Sequence, residues 1–239
     1  MSTLAIVAGA GPGLGSALAR SFGKHHAVAV LGRTVQTVEQ VAEDVRKSGA
    51  DATAFACDVT DPESVQETFD AIRKQWPSHQ VKAALYNVNS PFLVKRFLET
   101  SLQDIKPGVD VNFYGAFHFS QKVLPLMLEG GGGFLGFTGA TAALKGSAKF
   151  AALAPGKFAL RGLAQNLARE FGPQGVHVSH VIVDGLIETD RVRGMMGEQK
   201  QADSRLDPEA IAETFLSLAQ QPKNCWTHEV DVRPFSETW

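Results

Sequence analysis

One stretch constrains this chain more than any other: Ala5-Ile6-Val7-Ala8-Gly9-Ala10-Gly11-Pro12-Gly13-Leu14-Gly15-Ser16-Ala17-Leu18-Ala19. Residues 4–8 form a short apolar run with β-branched members, bounded by glycines, as in a buried strand. Residues 16–25 carry helical periodicity through Leu18, Ala19 and Phe22. Glycines between two such elements let the backbone turn sharply and approach a ligand, because no Cβ intrudes. The helix that follows aims unpaired N–H groups and the positive end of its dipole at that place, which suits phosphate. A turn of this kind between strand and helix calls for an α/β fold with a nucleotide at the strand ends.

The rest of the chain continues the alternation. Strands are expected at 27–31, 52–57, 81–86, 134–138, 176–183 and 226–232. Between them lie helical patterns at 34–48 (Thr34 as cap), 61–76 (Asp61 as cap, Pro62 in the first turn), 100–129, 147–171 (a loop entering a helix, Pro155 near its first turn) and 208–220 (begun by Asp207). Pro107-Gly108 is expected to interrupt the long helical region near its start. Residues 187–204 read as irregular, polar and Met-containing. Short strands apolar on both faces, alternating with helices, predict a doubly wound parallel sheet with helices on both sides. No linker or repeat divides residues 1–239, so one Rossmann-like domain is expected.

Composition narrows the partners. The 23 basic and 25 acidic side chains leave a net charge of −2 without a basic block, which argues against nucleic acid and anionic membrane. No apolar run approaches membrane-spanning length. Cys57 and Cys225 are far apart and suggest a reducing compartment without a disulfide framework. The first strand follows Met1-Ser2-Thr3 directly, so no leader is read and a cytoplasmic protein is expected.

The glycine spacing departs from G-x-G-x-x-G, because Leu14 stands at the third glycine position. Gly9, Gly13 and Gly15 instead follow the T-G-x-x-x-G-x-G spacing, with Ala8 for the Thr, and so resemble the short-chain dehydrogenase/reductase family. The likeness runs through most of the chain. Asp58-Val59 resembles the pair that contacts the adenine; Asn87 matches the first Asn of N-N-A-G, whose last two positions are Asn89-Ser90 here. Val111-Asn112 through Phe117 resembles V-N-x-x-G-x-F, which implies that Asn112 holds a water in a proton relay. Asp184-Gly185 through Thr189 resembles P-G-x-x-x-T with Asp for Pro, which puts Gly185 and Thr189 beside the nicotinamide. The implied cofactor set is Gly9, Gly11, Gly13, Leu14, Gly15, Arg33, Asp58, Val59, Asn87, Lys157, Gly185 and Thr189.

At the end of the second strand no carboxylate is present to bind a ribose 2′-hydroxyl. Gly32 leaves room there, and the Arg33 fork suits a 2′-phosphate. NADP(H) is therefore expected over NAD(H). Such a family member transfers hydride between this cofactor and a small-molecule substrate, using a Ser, a Tyr and a Lys four residues after the Tyr. The Lys lowers the Tyr pKa and holds the ribose. Lys157 matches the Lys, but Leu153 occupies the Tyr position and cannot transfer a proton. The Ser count falls on Ala140; its neighbour Thr141 is favoured over Thr138 as the hydroxyl that meets a substrate carbonyl. Substitute donors to weigh are Tyr86, Lys149, Ser147 and Lys157 itself, whereas Tyr114 faces another side of its helix. An iminium or activated alkene would need no such acid.

Three functions follow: an NADP(H)-dependent oxidoreductase acting on a small, apolar carbonyl, alcohol, imine or alkene; a non-redox lyase, isomerase or cyclase that uses the same cleft; or a catalytically silent partner subunit or sensor. Residues 187–206, with Leu186, Val192, Met195 and Met196, form the expected substrate lid. The family resemblance implies a homodimer or homotetramer, packed through the helices that bear Asn112 and Lys157. The tail after residue 226 is read as an edge strand that could pair with another subunit.

Overall fold

The computed structural model describes residues 2–237; Met1, Thr238 and Trp239, which the single-domain reading includes, lie outside the described residues. Seven parallel strands form one sheet in the order β3-β2-β1-β4-β5-β6-β7. They are β1 (Thr3–Ala8), β2 (Ala27–Gly32), β3 (Ala52–Ala56), β4 (Gln80–Tyr86), β5 (Gly133–Ala140), β6 (Val176–Val183) and β7 (Glu229–Val232). The order reverses direction between β1 and β4, and in such sheets that opening at the carboxyl ends receives the ligand.

Each face of the sheet carries its own core. On one side α1 (Leu14–Gly23), α2 (Val35–Lys47) and α8 (Pro208–Ala219) bury Leu18, Phe22, Val41, Val45, Ile211 and Phe215 against the sheet. On the other, α3 (Pro62–Gln75), α5 (Ala116–Glu129) and α6 (Ala154–Phe171) bury Phe69, Ile72, Phe119, Val123, Met127 and Leu160. Strands buried on both faces explain the unbroken apolar runs of the sequence.

Two expectations about elements change. The region 100–129 does not break at Pro107. That proline lies inside α4 (Leu102–Val109), and the chain passes through one wider helical turn at Asp110–Gly115 directly into α5. The wider turn absorbs the irregularity downstream of the proline, where the Tyr86 hydroxyl donates to the Val111 carbonyl at 2.6 Å. The final strand is also shorter than expected, because residues 226–228 serve side-chain contacts instead. Trp226 stacks on His177, and the Thr227 carbonyl accepts from Ser179 Oγ at 2.6 Å.

Residues 187–206 form an excursion between β6 and α8 that closes on itself. The Glu188 amide donates to the Leu206 carbonyl and the Leu206 amide to the Leu186 carbonyl, both at 2.8 Å. Inside it lies a short helix, α7 (Asp190–Met196), that the sequence pattern did not show. Among the described residues no helix is long and apolar enough to cross a membrane.

Candidate active site

A cleft of about 750 Å³ opens along the carboxyl ends of β1, β2, β4 and β5. One end is built by the glycine turn. Gly9 has φ 81°, and a Cβ there would lie 2.6 Å from the Asn87 backbone. Gly13 has φ 96°, and its Cβ would lie 2.7 Å from the Thr189 methyl. The turn therefore brings strand β4 and the excursion together around the start of α1. That start is uncapped by any side chain, as are those of α5, of α6 and of α2, where Thr34 stands at the cap position without the expected side-chain bond, whereas Asp61, Ser101, Thr189 and Asp207 cap α3, α4, α7 and α8. Uncapped N–H groups beside a cradle that a Cβ would fill fit a pyrophosphate.

Arg33, Thr34 and Thr37 line the cleft beyond Gly32, and Arg33 is exposed. Asp58 and Val59 line it from the end of β3. Burial works to raise the Asp58 carboxyl. The Thr60 hydroxyl and amide, at 2.7 and 3.0 Å, together with the Arg33 charge, outweigh it and hold the group below its usual range. Gly11, Leu14 and Gly15 also line the cleft, as do Asn87, Gly185 and Thr189. Asn87 locks two strand ends: its Nδ2 donates to the Gly9 carbonyl at 3.1 Å, and its Oδ1 accepts from Thr138 Oγ1 at 2.9 Å. The Thr189 hydroxyl accepts from the Val192 amide at 3.2 Å, as the cap of α7.

The other end of the cleft holds Lys157, 2% exposed, on α6. Its Nζ donates to Asn89 Oδ1 at 2.9 Å and to the Thr138 carbonyl at 3.0 Å. An ammonium has three donors, so one remains for a ligand. Burial lowers the Lys157 pKa to about 8. Asn112 is fully buried in the wide turn. Its Nδ2 donates to the Gly108 carbonyl at 2.8 Å and approaches Ser90 Oγ at 3.4 Å, and its Oδ1 has no partner among the described residues. A buried amide oxygen in that condition suits an ordered water.

Several sequence candidates stand elsewhere. Thr141 is not part of the cleft wall; its hydroxyl donates to Asp184 Oδ1, and Ala140 faces the cleft instead. The cause is Asp184, the residue at the family's Pro position, which also pairs with Arg233 of the tail at 3.4 Å. Thr138 turns its hydroxyl to Asn87 and offers only its carbonyl, to Lys157. Tyr86 is buried with its hydroxyl on Val111, and burial raises its pKa well above the usual value, so it is no donor to the cleft. Tyr114 is 49% exposed and, like Ser147 and Lys149, lies outside the cleft wall. Leu153 does line it.

Sequence reasoning missed Asn89 as the acceptor for Lys157 and Arg191 as a cation of the cleft wall. The signal for Asn89 was its departure from the N-N-A-G segment. For Arg191 there was none before α7 was known. It also missed Arg161, whose guanidinium meets Glu229 in two bonds of 2.7 Å. Glu229 accepts from His180 Nδ1 at 3.0 Å, so α6 is tied to β6 and β7 one turn after Lys157.

Comparison with known proteins agrees with this geometry. The model of the short chain dehydrogenase family matches residues 3–200. An uncharacterised oxidoreductase of Staphylococcus aureus is 26% identical over 97% of this chain and 96% of its own length. Carbonyl reductase family member 4 of Danio rerio is 25% identical over 93% of each chain. A short-chain dehydrogenase from Rhodopseudomonas palustris superimposes with a TM-score of 0.81 at 27% identity, over 98% of this chain and 99% of that one. At 22% identity an alcohol dehydrogenase from Thermococcus sibiricus, complexed with 5-hydroxy-NADP, shares the fold with a TM-score of 0.86 over 100% and 99% of the two chains.

Proposed function

Because this chain is a member of the short-chain dehydrogenase/reductase family, we propose that it is an NADP(H)-dependent oxidoreductase with an altered reacting end. The observation that carries the reading is one cleft that joins an uncapped helix start to a buried lysine with a free donor. A bound nicotinamide exchanges a hydride with the substrate carbon. The protein's part is to hold and to exclude. The α1 amides would face the pyrophosphate, and the one remaining N–H of Lys157 would meet either the ribose hydroxyls or a substrate carbonyl. Arg33, with the Thr34 and Thr37 hydroxyls nearby, faces a 2′-phosphate, and this supports NADP(H) over NAD(H).

The substrate end is apolar: Phe92, Ala140, Leu153, Leu186, Ile187 and Met195 line it. Residues 187–206 act as the lid. With Ala140 and Leu153 in place of hydroxyls, Lys157 Nζ is the proton source for a carbonyl, whereas an activated alkene or imine takes its proton later from solvent. Exposed Tyr114 and Phe117 on the 110–129 helical stretch, and Phe158 on α6, support pairing of two copies into a homodimer or homotetramer.

Calorimetric titration with NADPH and NADH tests the reading. Tight NADPH and weak NADH binding are expected. Equal affinities would remove the coenzyme preference. Absence of binding by folded protein would overturn the oxidoreductase and leave the non-redox enzyme or the silent subunit.

A further inference from the structure

The excursion at 187–206 carries three arginines, and the protein treats them differently. Arg193 Nε lies 2.9 Å from Glu188, and its guanidinium also meets Asp190 at 3.4 Å and Glu198 at 3.7 Å. Arg205 meets Glu188 at 2.9 Å and donates to the Gly197 carbonyl at 2.8 Å. These two hold the excursion together. Arg191 makes no ion pair or hydrogen bond among the described residues, and it lines the cleft. Arg191 is exposed and shares the cleft lining with Val192, with Met195 one turn further along α7, and with Leu153 and Ala140.

The charges of the cleft are unequal. Arg33, Lys157 and Arg191 line it, against the single carboxylate Asp58, one of whose oxygens is engaged by Thr60. Arg33 and Asp58 belong to the nucleotide end. Apart from that pair, the cleft lining holds two cations, Lys157 and Arg191, and no carboxylate, among apolar side chains. Such a chamber favours an anionic ligand and repels a cationic one.

We propose that Arg191 recognises a carboxylate on an otherwise apolar substrate. This deepens the oxidoreductase reading and rests on it. The planar guanidinium matches a carboxylate in two parallel hydrogen bonds. Leu153, Leu186 and Met195 cover the apolar part of such an acid. Of the acceptors weighed above, the iminium is thereby disfavoured, since Lys157 and Arg191 both repel it. Oxo acids and unsaturated acids with an apolar body remain. The same guanidinium chemistry suits a pyrophosphate, but that group already has the uncapped start of α1.

The test is a matched pair of ligands, 4-phenylbutanoate and 4-phenylbutanol, titrated into NADPH-loaded protein by calorimetry. The acid is expected to bind at least about tenfold more tightly than the alcohol, with a preference that shrinks as salt rises. Arg191→Met should abolish the preference, Arg191→Lys should keep part of it, and both should leave NADPH affinity unchanged. Equal binding of acid and alcohol, binding of neither, or a preference that survives in Arg191→Met would overturn the assignment. A large loss of NADPH affinity in Arg191→Met would also overturn it, by giving the arginine to the pyrophosphate. Failure of wild-type protein to take up NADPH is read before any acid is added, and that result overturns the parent reading instead.

Discussion

The two ends of the cleft follow different rules. At the proposed nucleotide end Gly9, Gly15, Asp58 and Asn87 line the cleft, and at Gly9 and Gly13 a positive φ and close neighbours leave no room for a Cβ. The proposed reacting end has Lys157 in its lining, with Leu153 and Ala140 where the resemblance expects hydroxyls; Asn112 is buried outside the lining, and Asn89 and Ser90 contact Lys157 and Asn112. The contrast teaches that cofactor recognition depends on backbone and dipoles that tolerate little change. Proton chemistry depends on single side chains, which can be exchanged without disturbing the fold.

The strongest way to break this comparison is Gly9→Val. Its Cβ would lie 2.6 Å from the Asn87 backbone at φ 81°, so the turn must open. Loss of measurable NADPH binding and a lowered melting temperature are expected; unchanged calorimetry would refute the enforced-backbone argument.

Lys157→Met attacks the other end. Turnover should fall on the order of 10²–10⁴-fold. Stability gives a second readout. The unfolded chain keeps the lysine proton up to its ordinary value of 10.5, the folded one only to about 8. Below both values the burial penalty is fully present, and wild-type stability should rise through that window by up to about 3 kcal/mol relative to the variant. Denaturant titrations at pH 7 and pH 10 measure it; parallel pH profiles would show that Lys157 is not buried as a charge.

Arg33→Ala sharpens the nucleotide end. Losing charge-assisted bonds to a 2′-phosphate should weaken NADPH by about 10- to 100-fold and leave NADH unaffected. An equal loss for both coenzymes would move Arg33 out of the 2′-phosphate role.

The smallest effect separates support from chemistry. Asn89 Oδ1 accepts from the charged form of Lys157, so Asn89→Ala should lower the pH midpoint of NADPH binding and Asn89→Asp should raise it, each by about half to one pH unit. A weaker affinity with an unmoved midpoint would make Asn89 a packing residue only.

Much of this molecule is legible in the chain itself. Apolar runs, caps such as Asp61 and Asp207, and glycine spacing are local patterns, so the sequence alone determined the alternation of strands and helices and the glycine turn between β1 and α1. The extra helix α7 escaped because seven residues carry too little periodicity. Only the tertiary structure decided that neither candidate hydroxyl, Thr138 or Thr141, faces the cleft. Thr141 answers to Asp184, 43 positions away, and Lys157 to Asn89, 68 positions away. Contacts of that span form when strands align in a sheet, and no local pattern of the chain encodes them. Arg191 is the same case: its freedom is visible only once Glu188 has taken Arg193 and Arg205.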